Sequence, residues 1–351
     1  LTVASLGVLF GSLFSTGMME IARSGVFHPG MFTFPQIMML FLAVMVTDVI
    51  LLDVFNTLGL PTSTTVSLIF ELLGAAVAVA LVNIWKTDTG VLIDYINSGK
   101  ALTIISGILI SVVIAFATGS IIMYFSRIIF SFKYKKPFKY IGALWSGTAL
   151  TAISYFAIFK GLKSTTLISK ESIIYIQENI TTILLYVFLG WSFIMAILQH
   201  LFKVNILKII ILAGTWALAL SFAGNDLVNF IGVFMAGYSS YQIASDVVAS
   251  GGSVDTLMMN KLSEPVVVDW RFLFGAGIIM VLALWFSKKA RTVTKTEVNL
   301  ARQGEGIERF DSSVASRQIV RRAVSFSKFM RRITPHQVTE FVESRFKPIP
   351  E

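Results

Sequence analysis

Four consecutive hydroxyl side chains, Thr62, Ser63, Thr64 and Thr65, follow Pro61 in the run Leu58-Gly-Leu-Pro-Thr-Ser-Thr-Thr-Val66. Apolar sequence flanks them for a membrane's thickness, residues 37–52 before and 66–82 after. Polar groups so placed are costly in lipid unless they line a cavity or hold a ligand. Pro61 lacks an N–H and suits the first turn of a helix. A helix beginning there would aim backbone N–H groups, hydroxyls and the positive end of its dipole at one point, which is the chemistry of an anion site.

A second polar interruption is Ser221-Phe-Ala-Gly-Asn-Asp-Leu-Val-Asn-Phe230. Gly224, Asn225, Asp226 and Asn229 break an apolar run of about 35 residues, longer than one span. Asp226 and Asn229 are three apart and share a helix face. Asn225 and Asp226 offer oxygens, the ligand type hard cations prefer. The stretch suits an unwound turn from which a second half-helix starts, or an Asn/Asp cap between two segments. Broken helices of this chemistry at bilayer depth are the usual mark of a transporter's substrate site.

Carboxylates inside apolar spans are rare and are functional candidates by default. Asp48 and Asn56 lie eight apart, on one helix face. Asp53 with Asn56, just before the hydroxyl cluster, reads as a cation-binding pair. Glu71 reads either as functional or as a protonated, hydrogen-bonded carboxyl. His28, His200 and His336 are scattered, and no His/Asp/Glu cluster has metal spacing. A Gly-x-x-x-x-Gly-Lys phosphate cradle is absent, which argues against an ATP-driven pump.

The elements that must carry these residues are membrane helices. The 351 residues are 55% hydrophobic and 14% charged, with a mean hydropathy of +0.76. Charge-free runs cover 1–19, 28–47, 101–126, 141–159, 179–202, 209–225, 227–245 and 272–287. Most reach the roughly 20 residues that a hydrocarbon core requires. The expected fold is an all-α polytopic transmembrane bundle with discontinuous or re-entrant helices; no strand pattern suggests a β-barrel. Residues 35–83 form either two full spans meeting at Gly59-Leu60-Pro61 or a re-entrant hairpin. Gly7, Gly11, Ser12 and Gly17 should let the first helix pack closely.

Charge gives the orientation. Residues 288–351 hold 14 Lys and Arg against 7 Asp and Glu, a net of +7 within the chain's +9. Beside a span this fits the positive-inside rule better than nucleic-acid binding. The basic stretches 127–140, 203–208 and 288–351 then all fall on the inner side. The tail has amphipathic segments and reads as a cytoplasmic linker or the start of a soluble region, with a lipid-surface role as the alternative. With no cysteine, thiol chemistry and disulfides play no part. Leu1 lies inside an apolar run and Glu351 ends on no recognisable stop, so the expectation is a window of a longer chain.

Together the two polar stretches resemble the PiT family of inorganic phosphate transporters. In that family two inverted repeats each carry a Gly-Ala-Asn-Asp-like signature and, later, a Pro-[Thr/Ser]-Ser-Thr-Thr signature. Gly59-Leu-Pro-Thr-Ser-Thr-Thr65 is similar to the second signature of the first repeat. Ala223-Gly-Asn-Asp-Leu-Val-Asn229 is similar to the first signature of the second. The departures are Val66 where His is frequent, the order Ala223-Gly224, and Glu71 where a small residue is common. They bear on ion coupling more than on substrate class.

The resemblance implies that residues 1–126 end the first repeat, 127–208 connect, 209–289 begin the second repeat, and 290–351 are the basic linker. It implies phosphate uptake by Na⁺ or H⁺ symport in a bacterial plasma membrane. Phosphate would be held by Thr62, Ser63, Thr64, Thr65, Asn225, Asp226 and Asn229. The cation would be held by Asp226, Asn225, Asp53 and Asn56. No cofactor beyond the co-transported ion is implied. The partners are phosphate, the cation and membrane lipid, without nucleic acid, and a homodimer is compatible. Rival readings are a transporter of another oxyanion such as sulfate and a membrane-embedded phosphotransferase. The phosphotransferase would need a base or nucleophile and usually a metal.

Overall fold

Described in the structure, a computed structural model, are residues 1–13, 25–164, 170–264, 269–300 and 312–347. The helices in chain order are α1 (Thr2–Leu13), α2 (Phe34–Leu58), α3 (Thr64–Thr87), α4 (Leu92–Tyr95), α5 (Ser98–Phe130), α6 (Lys135–Ser164) and α7 (Lys170–Glu178). There follow α8 (Ile180–His200), α9 (Ile206–Phe222), α10 (Val228–Ala249), α11 (Trp270–Phe286), α12 (Lys288–Leu300), α13 (Val314–Ile333) and α14 (His336–Phe346). Among the described residues, strand pairing is confined to two isolated bridges, Phe27 with Ile96 and Thr33 with Met258. The bundle is all-α, as its apolar runs require.

By length and composition α2, α3, α5 and α8 can each cross a membrane. Helix α5 buries only Ala101. Its Val113 and Phe116 are 67% and 70% exposed, an all-round apolar surface suited to lipid. Hydropathy misjudges where several helices stop. The basic stretch 127–140 is mostly helical, because α5 runs to Phe130 and α6 begins at Lys135. Similarly, α10 continues to Ala249 through residues expected to form a loop. Apolar runs report where lipid begins, whereas helix ends depend on backbone hydrogen bonding and caps.

Helices α2 and α3 form an antiparallel hairpin. Gly59 ends α2 in the left-handed region at φ 63°, and its N–H bonds back to the carbonyls of Phe55 and Asn56. Helix α3 starts at Thr64, three residues later than Pro61 suggested. Ser63 is the N-cap, its Oγ accepting from the Val66 N–H at 3.4 Å, and a hydroxyl cap supplies what proline cannot. At the open end of the hairpin the Gln36 and Asn83 amides bond each other at 2.7 and 3.3 Å. The core around this hairpin includes Ile37, Leu40, Leu68, Ile69, Leu72 and Val233 of α10.

Helix α1 lies against α9 and α11. A Cβ at Gly7 would come within 2.5 Å of the Trp216 carbonyl oxygen and 2.8 Å of Ala219 Cβ. One at Gly11 would collide with the Leu220 carbonyl and sit 2.9 Å from Ala223 Cβ. The expected close packing by small residues is thus met at Gly7 and Gly11, while Gly17 lies outside the described residues. On the other side Trp285 Nε1 donates to Ser5 Oγ at 2.8 Å. A second cluster, Ala143, Leu150, Met195 and Ile206, joins α6, α8 and α9.

Helices α9 and α10 are joined without a break in helical winding. The expected unwound turn is a single π-helical turn, Ala223–Leu227. Gly224, Asn225 and Asp226 are poor formers of α-helix, and a widened turn accommodates them while the winding continues.

Replacing Gly7 or Gly11 by Val should cost about 1–3 kcal/mol each, since backbone rather than a flexible side chain blocks the new atoms. The control is Gly190→Ala in α8, which meets no atom within 4 Å and should stabilise by about 0.5–1 kcal/mol. Thermal unfolding of the detergent-solubilised protein reads both.

Candidate functional site

The hydroxyl stretch is recessed within the hairpin. Ser67 Oγ lies 3.5 Å from Asp48 Oδ1 on α2. Ten residues separate Asp48 from Leu58, but only three separate Thr64 from Ser67. At 1.5 Å per residue, α3 therefore begins roughly 10 Å short of the end of α2. Residues 59–63 climb back beside α2 to reach it. Thr62 and Ser63 are exposed in this connection, Thr65 is half-buried and Thr64 is 9% exposed. The Ser63 hydroxyl accepts from the helix and keeps its own proton to donate.

One turn into α3, Ser67 Oγ donates to Glu71 Oε1 at 2.6 Å. Ser67 thus joins two carboxylates, Asp48 and Glu71, from facing helices. The second oxygen of Glu71 is buried and has no hydrogen-bond partner. A cavity of about 460 Å³ opens beside it, lined by Thr47, Leu51, Ser67, Phe70 and Glu71 among others. Two carboxyl groups in a span need a proton or a cation to offset their charge. The Ser67–Glu71 half of this group was readable as an i, i+4 pair. Asp48 joins it only through the register of α2 on α3, which the sequence does not display.

Packed against the π turn are α1, α3, α9, α10 and α11. Ala223 is fully buried and Leu227 is 4% exposed. Across this crowding, α3 touches the π turn. The two polar stretches, far apart in sequence, therefore belong to neighbouring elements inside the bundle. The side chains of Asn225, Asp226 and Asn229 lie outside the described residues.

Asp53 and Asn56 are engaged elsewhere. Lys289 Nζ of α12 donates to Asp53 Oδ1 at 2.5 Å. Thr292 Oγ1 donates to the Asn56 carbonyl at 2.9 Å. Helix α12 thus lies across the end of α2, satisfying a C-terminal carbonyl and placing a cation where the helix dipole is negative. A lysine ammonium already stands where the sequence reading placed a transported cation.

Charge-poor spans, a recessed hydroxyl-bearing helix start and a buried irregular turn beside it define a polytopic helical membrane transporter rather than an enzyme. The sequence profile of the phosphate transporter family matches residues 1–302, and the chain belongs to that family. No curated protein and no solved structure matches the chain. It is an integral membrane protein of a phosphate-transporting family.

The two polar contacts should differ in weight. Ser67→Ala should lower stability by about 1–3 kcal/mol, because it strips a buried carboxylate oxygen of its donor. Lys289→Ala should change it by less than about 1 kcal/mol, because its ion pair with Asp53 is solvent-exposed. Thermal melts of the two variants in one detergent make the comparison.

Proposed function

We propose that the protein moves inorganic phosphate inward by alternating-access symport with a cation. The observation that carries this reading is the contact of α3 with the π turn Ala223–Leu227. Phosphate oxygens would be held by the hydroxyls of Thr62, Ser63, Thr64 and Thr65 and by N–H groups at the α3 N-terminus. Asn225, Asp226 and Asn229 would complete the pocket, with Asn225 and Asp226 holding the cation.

Charge supports a coupled cation. A permanent Lys or Arg in the site would hold the anion too well for release. A cation that leaves with its own gradient lets affinity fall on the inner side. Bringing a divalent phosphate in against about −100 mV costs about 4.6 kcal/mol. Two cations cancel that cost, and a third makes uptake electrically driven. Asp53 and Asn56 leave the cation role in this reading, since Lys289 and Thr292 engage them. The carboxylates nearest the start of α3 are Asp48 and Glu71, and they take the coupling role, as acceptors of a proton or of Na⁺.

Thr64→Val removes one hydroxyl at nearly constant volume. It should raise the KM for phosphate about tenfold or more in cells expressing the protein, the value of a hydrogen bond to a charged ligand. Unchanged KM and uptake, at equal protein in the membrane, would contradict the hydroxyl site. Competition by sulfate and arsenate in the same assay separates a phosphate site from a general oxyanion site.

Glu71→Gln tests coupling apart from binding. It should abolish uptake driven by a Na⁺ or H⁺ gradient and leave phosphate–phosphate exchange in proteoliposomes largely intact. Loss of both in a folded variant would move Glu71 from coupling to binding, and loss of neither would remove it from the mechanism.

A further inference from the structure

Helices α13 and α14 lie beyond the part of the chain that matches the family, which ends at residue 302. Helix α13 buries none of its residues. It carries six cations, Arg317, Arg321, Arg322, Lys328, Arg331 and Arg332, and no carboxylate. Their placement is not random. Ile319, Phe326, Met330 and Ile333 recur on one face, and Arg317, Arg321, Lys328 and Arg332 recur on the opposite one. A soluble helix with one exposed apolar face would aggregate or find a partner.

Where this helix is tethered says what that partner is. The Arg345 guanidinium of α14 donates to the carbonyls of Ile128 and Ile129, both at 2.6 Å. Phe346 stacks on Tyr124 with centroids 5.5 Å apart. These contacts fasten the α13–α14 pair to the C-terminal turn of α5. Helix α5 has 33 residues, about 50 Å, whereas a hydrocarbon core is about 30 Å thick. Its last turns therefore emerge into the headgroup layer.

The surroundings match that layer. Tyr134, Tyr140 and Trp145 cluster with Lys133, Lys135 and Lys136 in the adjoining turn and the start of α6, an aromatic and basic belt. Arg331 pairs with Glu343 at 3.1 Å and holds α13 to α14. Between the two helices and Tyr124 runs an open cavity of about 670 Å³, lined by Phe326, Met330, Val338, Val342 and Phe346 among others. It continues the apolar face of α13 towards the span.

From this geometry we infer that α13 lies flat on the bilayer at the inner end of α5. Its apolar face sits among the upper acyl carbons and its cationic face among anionic phospholipid headgroups. The segment is a lipid-sensing anchor rather than a passive linker: its attachment depends on leaflet charge, and α14 transmits that attachment to α5. Dissociation exposes Phe326 to water and restitution of anionic lipid buries it again.

The chain has no cysteine, so single-cysteine labelling reports one site at a time. Phe326→Cys and Lys328→Cys would each carry a nitroxide on the 351-residue protein in vesicles. One set of vesicles is phosphatidylcholine alone and the other includes phosphatidylglycerol. With phosphatidylglycerol, the label at 326 should be relaxed by oxygen and shielded from a water-soluble nickel chelate, and the label at 328 should show the reverse. Adding Arg317→Glu with Arg321→Glu should lower the bound-to-free ratio of the helix roughly thirtyfold, since each juxtamembrane cation contributes about 1 kcal/mol. Equal nickel access at 326 and 328 in phosphatidylglycerol vesicles overturns the proposal. So does spin–spin broadening at 326 that disappears on dilution with unlabelled protein, because a second copy would then cover the face. Position 326 is 64% exposed, so the label leaves the packed core untouched.

Discussion

The approach of α1 to α9 at Gly7 and Gly11 is the contact on which the centre of the bundle depends. Glycine there brings backbone against backbone, with the Trp216 and Leu220 carbonyls where side chains would otherwise stand. In lipid no hydrophobic drive presses helices together, so close van der Waals fit carries their association. The fit extends through Ala223 into the π turn, which α11 and α3 also touch. The irregular backbone is thereby enclosed by protein, the one setting in which a membrane tolerates it.

The hairpin of α2 and α3 supplies the facing half. It is fastened at its open end by the Gln36–Asn83 amide pair and closed by Gly59 at the other. Between them Ser67 links the Asp48 and Glu71 carboxyls across the helices. The register these contacts enforce draws the start of α3 back from the end of α2. Hydroxyls that would meet water at the tip of a symmetric hairpin are instead carried inward. Helix α12 closes over the tip through Lys289 and Thr292, so a basic segment bonds to the connection it covers.

Much of this was legible in the residues. Charge-free runs announced the spans, Gly7 and Gly11 the tight crossing, and the two polar interruptions the elements that meet. Local chemistry was harder to place than class. Pro61 suggested a helix start that Ser63 takes instead, because a hydroxyl can cap free N–H groups and an imide cannot. Ala-Gly-Asn-Asp suggested unwinding, yet a single widened turn absorbs these residues. The reading of Asp53 as a cation ligand overlooked a lysine 236 positions further on, since only tertiary contact brings the two together. The same limit hid Asp48 from Glu71: each is an unremarkable carboxyl in its own helix, and their nearness follows from how one helix slides along the other.

One property of the turn at Ala223–Leu227 reaches well beyond its five residues. A π turn contains one residue more than the α turn it replaces. Deleting any one of the five would let the helix run straight and would swing all of α10 by about 100° about its axis. Val233 and Ala236, which now fill the hydrophobic core shared with α2 and α3, would rotate away from it. Chain length at this point is therefore as tightly constrained as chemistry: a single-codon deletion here would do more damage than most substitutions, because it re-indexes an entire helix.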